Sequence, residues 1–381
     1  MYKRVISSTR AVVFYISPPF KCSFQNRLTP SLTNQPISQR SFASCSSRVR
    51  DGVRRFYSNS ASRFNYFNGQ KGGNTRRTAV GLGFSMSLLG FFEKKELTVE
   101  DQILMEMKRA ILAIQKGEIK EAEGHLEKAW QMSSDEALEK AKTQILDIRA
   151  NLAFQVGDLD AAEKLFKTVC QRLVYHQAVG VRENSIIEIS IKLSQILALK
   201  GNYEDSISGF QYCAQTQREK IEKEGVDDED TLLLAAWSLH SLAQAYLGRG
   251  TQGQMDLNLV RRASDLAKEA YIYASKAIGP DSQQALAINS DLASILALQG
   301  DVDAALAKYK ECEALAAEKH TYLQPAIHVN TGTLYLQKGN YDEAERLCKE
   351  AKKLAKRYKD KESATRAEEC IVRSTKLRDN K

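Results

Sequence analysis

KGNYDEA, residues 338–344, is a turn between two helical patterns. Glycine ends a helix by taking the left-handed cap that side chains resist. The asparagine beside it suits the start of the next helix. The same punctuation recurs as KGEIKEA (116–122), VGDLDAA (156–162), KGNYEDS (200–206) and QGDVDAA (299–305). Glu118 alone breaks the Asp-or-Asn rule after the glycine. The turn glycines, Gly117, Gly157, Gly201, Gly300 and Gly339, lie 40, 44, 99 and 39 residues apart. The 99 is about two periods, so a sixth copy is expected inside it. Trp237, Leu239, Leu242, Ala243, Tyr246 and Gly250 fit that copy. Its partner helix falls over 257–277, with Ala263, Ala267 and Ala270 at the small positions. Residues 249–256 then form an insertion of about eight.

The side chains around each turn repeat in register. Seven before the glycine stands a small residue: Ala110, Ala150, Ser194, Ala293, Gly332. Five after it stands another: Ala122, Ala162, Ser206, Ala305, Ala344. Nine after it comes a larger one, Leu126, Phe166, Phe210, Tyr309 or Cys348. Twelve after it come Ala129, Val169, Cys213, Cys312 and Ala351. Small residues let two helices cross closely, and large ones fill the space between. One such hairpin cannot bury its face alone and must stack on copies of itself. Proline agrees: four of six prolines lie at or before Pro36, and the next is Pro280. The long tract between them, rich in Ala, Leu, Glu and Lys, is helical by propensity. The fold class is therefore all-α: a solenoid of about six helical hairpins over 100–357, with a capping helix and tail over 358–381. The acidic stretch 219–230 is expected to be an exposed loop.

The net charge of +8 is uneven. Residues 1–57 hold ten Lys or Arg against one acid, Asp51, which leaves the rest of the chain at a net −1. The repeat domain thus offers no excess positive field for phosphates, and nucleic acid is excluded as the expected partner. Residues 1–57, rich in Arg and Ser, have the composition of a mitochondrial transit peptide. Arg54-Arg55-Phe56-Tyr57-Ser58 resembles a matrix-peptidase cleavage site. A linker, 58–77, leads to the uncharged stretch TAVGLGFSMSLLGFF, residues 78–92. Fifteen helical residues rise ~22 Å against ~30 Å of hydrocarbon. Flanking Arg76, Arg77, Lys94 and Lys95 can snorkel to the interface. A short inner-membrane anchor is the leading reading; a surface-associated segment and a second removable signal are the others. If it spans, the basic residues before it lean the repeat domain toward the intermembrane space.

The sequence holds no P-loop, nucleophile elbow or HExxH. Gly248, Gly250 and Gly253 spell GxGxxG, but a dinucleotide fingerprint must follow a strand and open a helix, and this one follows a helix. The five histidines never pair at metal-ligand spacing, so no metal or cofactor is expected. Of seven cysteines, Cys22 and Cys45 lie in the presequence. Cys170, Cys213, Cys312, Cys348 and Cys370 form no CxxC and suggest neither a disulfide framework nor zinc. Burial as small hydrophobes is expected of them.

The turn pattern resembles the tetratricopeptide repeat, best over 331–354, where Gly332, Tyr335, Gly339, Tyr341, Ala344 and Ala351 fall on its consensus. Residues 150–167, 183–193 and 290–301 are similar to a mitochondrial inner-membrane branch of that family. The resemblance implies a non-enzymatic factor that binds respiratory complex III (cytochrome bc1) and supports its assembly and maintenance, including clearance of Rieske-subunit fragments. It carries no catalytic residue. A general co-chaperone or scaffold with an extended-peptide groove is the alternative, although the Lys, Arg and Asn clamp of chaperone-tail binders is absent. First helices line the inner face of such solenoids. Six before each turn glycine stand Ile111, Asn151, Gln195, Gln244, Ser294 and Thr333. Five of these are uncharged hydrogen-bonding residues, a candidate ladder for a partner's extended backbone. Phe154 and Trp237 complete the candidate groove.

Overall fold

The structure, a computed structural model, describes residues 98–133, 138–250 and 256–379. The expected transit peptide, linker and apolar stretch 78–92 lie outside those residues, as do insertion residues 251–255. Thirteen α-helices and one short 3₁₀ turn, Thr321–Leu323, account for the regular structure among the described residues. They are α1 (Val99–Lys116), α2 (Ile119–Met132), α3 (Glu139–Val156), α4 (Leu159–Gln177), α5 (Asn184–Leu199), α6 (Tyr203–Lys223) and α7 (Glu229–Gly250). Then follow α8 (Leu257–Ile278), α9 (Gln283–Leu298), α10 (Val302–Lys319), α11 (Gln324–Gln337), α12 (Tyr341–Tyr358) and α13 (Lys361–Asp379). Paired in order, α1 to α12 are six hairpins, and α13 packs on the last. No helix among the described residues is long and apolar enough to cross a membrane.

The helices fall into two compact units. One comprises α1–α4, up to Ala178, and the other α5–α13. In the first, α3 packs on both α1 and α2. In the second, α7 packs on α5 and α6, α9 on α8, α11 on α9 and α10, and α13 on α11 and α12.

The turn glycines of the five clear copies do what their position requires. Gly117, Gly157, Gly201, Gly300 and Gly339 have φ between 73° and 86°, the left-handed region. The residue after four of the five then caps the next helix. Asp158 accepts from Ala161 N at 3.1 Å, Asp301 from Ala304 N at 3.1 Å, and Asn202 and Asn340 do the same at 3.4 Å. Glu118, the exception in sequence, makes no side-chain cap. The helix α1 opens on a capping box in which Thr98 and Asp101 satisfy each other's backbone. Pro325 sits in the first turn of α11, where its missing N–H costs nothing.

The crossing positions are buried as the register demands. Ala110, Ala150, Ala293, Ala122, Ala162, Ala305 and Ala344 are fully covered, with Leu126, Phe166, Phe210, Tyr309 and Cys348 filling the layer above them. The small positions of α8, Ala263, Ala267 and Ala270, are covered too. The long spacing between copies comes from the second helices: α4, α6 and α8 run 19, 21 and 22 residues.

Two expectations are corrected. The acidic stretch 219–230 is not one loop: α6 continues to Lys223 and α7 begins at Glu229. Glu219 pairs with Lys223 one turn on, Arg182 reaches both Glu219 and Glu224, and Asp228 accepts from Thr231 N. These contacts neutralise the like charges and extend the helices through them. The second correction is Cys348 and Cys370, which form a disulfide between α12 and α13, with Cα atoms 6.1 Å apart. Gly332 of α11 makes room for it. A Cβ there would lie 2.5 Å from Cys348 Sγ, 3.2 Å from the Ala344 carbonyl and 3.5 Å from Cys370 Sγ. None of these atoms can retreat, so Gly332→Ala is expected to lower stability by about 1–3 kcal/mol in denaturant titration.

Candidate protein-binding face

The candidate ladder of the larger unit falls on its first helices α5, α7, α9 and α11. Gln195 is 2% exposed and donates to Ser241 Oγ on α7 at 3.3 Å. Gln244 is 8% exposed and donates to Asp291 Oδ2 on α9 at 3.0 Å. The same carboxylate oxygen lies 2.9 Å from His240 Nε2. Both glutamines are thus bonded to the next hairpin rather than turned to solvent. Ser294 and Thr333 are half-buried. Ser294 shares a 2.6 Å hydrogen bond with Tyr309 Oη, and Thr333 donates to the Val329 carbonyl of its own helix. Trp237 is half-buried near the middle of α7.

Asn151 belongs to the smaller unit. Its Nδ2 donates to the Asp147 carbonyl at 2.7 Å, and its Oδ1 is a buried acceptor with no hydrogen-bond partner. Phe154, expected in the groove, is instead a core residue, set edge-on to Phe166 with ring centroids 6.5 Å apart. Its offset, three before the turn glycine, points it at the second helix of its own hairpin.

Sequence reading missed the polar ties that accompany these residues. Lys192 is 1% exposed, and its ammonium sits 2.9 Å from Glu188 Oε1 one turn earlier. Asn184 at the head of α5 donates to Thr231 Oγ1 of α7 at 3.0 Å. Glu311 of α10 accepts from Tyr271 of α8 at 3.3 Å and from Asn289 of α9 at 3.2 Å. Burial alone would raise the Glu311 carboxyl, but Lys308 and these donors hold it below the ordinary carboxylate range. The signal available was the density of Asn, Gln, Ser and Thr on otherwise apolar first helices. Nothing in one chain shows which of them face a neighbour.

No group of His, Cys, Asp and Glu among the described residues could hold a metal ion. Cys213 and Cys312 lie in the crossing layers, and burial pushes their thiols up to about 12, far from thiolate chemistry. Gly248, one glycine of the GxGxxG, lies within α7, and a Cβ on it would meet the Tyr203 ring at 2.6 Å. Its role is close packing.

A tetratricopeptide repeat family model matches residues 327–362, the hairpin of α11 and α12. Among curated proteins, the human tetratricopeptide repeat protein 19, mitochondrial, is 31% identical over 73% of this chain and 73% of its own length. The Drosophila melanogaster homolog is 29% identical over 77% of each chain. The solved structure of BtubC (BKLC) from P. vanneervenii has 17% identity, covers 69% of this chain and 93% of its own, and gives a TM-score of 0.48. These relatives are named as mitochondrial, and the repeat is a protein-interaction scaffold. From its six capped hairpins and this kinship over three quarters of its length, the chain belongs to the tetratricopeptide repeat protein 19 family.

Proposed function

We propose that the chain is a non-enzymatic adaptor of the mitochondrial inner membrane that binds respiratory complex III. It supports the assembly and maintenance of that complex and the clearance of fragments of its Rieske iron–sulfur subunit. The observation that carries this reading is the family kinship, which covers about three quarters of the chain. The partner segment is taken up at the positions of the larger unit that remain reachable: Trp237, Ser294 and Thr333. Gln195 and Gln244 support that face from beneath. The repeats work on the intermembrane-space side, and residues 78–92 tether them. The Cys348–Cys370 disulfide supports that side, because such bonds persist in oxidising compartments and are rare in reducing ones.

Native separation of mitochondrial complexes carrying the tagged chain tests the adaptor. Co-migration with complex III is expected; co-migration with a chaperone alone would replace this reading with the co-chaperone one. Carbonate extraction and protease protection test the tether and the side. For the face, Trp237→Ala with Thr333→Ala is expected to weaken capture of complex III at least ~10-fold while leaving the melting temperature within a few degrees. Undiminished capture would remove these residues from the interface.

A further inference from the structure

The last helix is held by little apolar surface. Among its residues only Ser363, Ala367, Cys370 and Ser374 are buried, and Ile371 and Leu377 are partly covered at the edge. Its polar ties are Arg366 donating to Asn330 at 2.5 Å, Arg378 to Glu345 at 2.6 Å, and an ion pair of Lys352 with Glu368. An ion pair as open to water as Lys352 with Glu368 contributes little. The disulfide is the strongest single tie between α13 and the repeats. Its two sulfurs are placed unequally. Cys348 Sγ is seated over Gly332 in the crossing of α11 and α12, wherever α13 goes, whereas Cys370 is carried by α13 itself.

We propose that Cys348 and Cys370 are a thiol–disulfide exchange pair that reversibly docks the capping helix. Its substrate is a disulfide-bearing oxidant, either a small molecule such as oxidised glutathione or an oxidoreductase. In the dithiol form α13 opens and presents Cys370. The Cys370 thiolate attacks one donor sulfur, and the other leaves as a thiolate. When α13 redocks, the Cys348 thiolate attacks the Cys370 sulfur and displaces the second donor thiolate. Two electrons pass to the donor, which leaves as two thiols after taking up the two protons the cysteines release. A dithiol reductant runs the sequence backwards. Selectivity comes from the helix that moves. Cys213 and Cys312 stay fully buried in the layers between helices, out of reach of the donor, and the half-buried Cys170 has no second cysteine among the described residues of its own unit to complete the exchange. Opening bares Leu336, Ala344 and Ala351 on the last hairpin, so the redox state sets whether the end of the repeats is covered.

Hydrogen exchange on the full chain, before and after reduction with a phosphine, tests the docking. The closed loop spans 22 residues of sequence, for which chain entropy gives on the order of a hundredfold change in helix opening. Exchange in α13 is therefore expected to rise by that factor on reduction, with α9 and α10 unchanged. Cys348→Ala with Cys370→Ala should match the reduced wild type; if that variant fails to fold, reduction of the wild type still gives the readout. Exposure to oxidised glutathione tests the order. Cys348→Ser should accumulate the mixed disulfide on Cys370 at least ~10-fold faster than Cys370→Ser does on Cys348. Unchanged α13 exchange on reduction, or equal adduct rates in the two single variants, would overturn the proposal.

Discussion

Phe166→Ala is expected to lower the stability of the smaller unit by about 3–5 kcal/mol. Phe166 is fully covered, meets the edge of Phe154, and fills the layer over the small residues at which α3 and α4 cross. Its removal leaves a cavity that Ala150 and Ala162, both without reach, cannot fill. The unit has four helices among its described residues, so a loss of that size is a large fraction of what such a domain holds. Denaturant titration, with hydrogen exchange to locate the loss, measures it. Exchange should rise across α3 and α4. A loss below about 1 kcal/mol would mean that the two helices close over the gap.

Glu188→Ala is expected to cost about 3–5 kcal/mol, and for a different reason. Lys192 lies beneath the surface of the larger unit, and Glu188 is the carboxylate that meets its charge. Truncating Glu188 takes away a counter-charge one turn from a cation that water barely reaches. The companion substitution separates this from lost packing: Glu188→Ala with Lys192→Met should recover most of the stability, because no charge is then left inside. If the double variant is as unstable as the single one, the carboxylate's stem rather than its charge matters.

The hairpins were legible because each is set by short-range chemistry. Gly157 followed by Asp158 is a cap and a counter-cap within two residues, and the Ala150, Ala162 and Phe166 offsets follow from helix geometry alone. The weak fourth copy was also legible, since α7 and α8 keep the small positions at Ala243, Ala263 and Ala267. What escaped depends on which hairpin lies against which. Gln195 and Gln244 occupy positions that are solvated in an open groove. Here Ser241 and Asp291 of the following hairpins come close enough to take their hydrogen bonds. Phe154 was misplaced because its offset is shared by groove and core side chains. Cys370 lies on α13, outside the repeating register, so no spacing linked it to Cys348.

The polar ties between successive hairpins have one more consequence. Every hairpin here is built on the same apolar register, so each could stack on the wrong neighbour with much the same gain. Hydrophobic burial provides adhesion without an address. The address is written in pairs that differ between the two junctions joining the third, fourth and fifth hairpins: Asn184 with Thr231 and Gln195 with Ser241 at one, Gln244 with Asp291 and Tyr271 with Glu311 at the other. A hairpin docked out of order would bury those groups without their mates, a penalty levied on the mistake alone. Repetition makes the chain easy to extend, and these few unrepeated side chains make it assemble in one order.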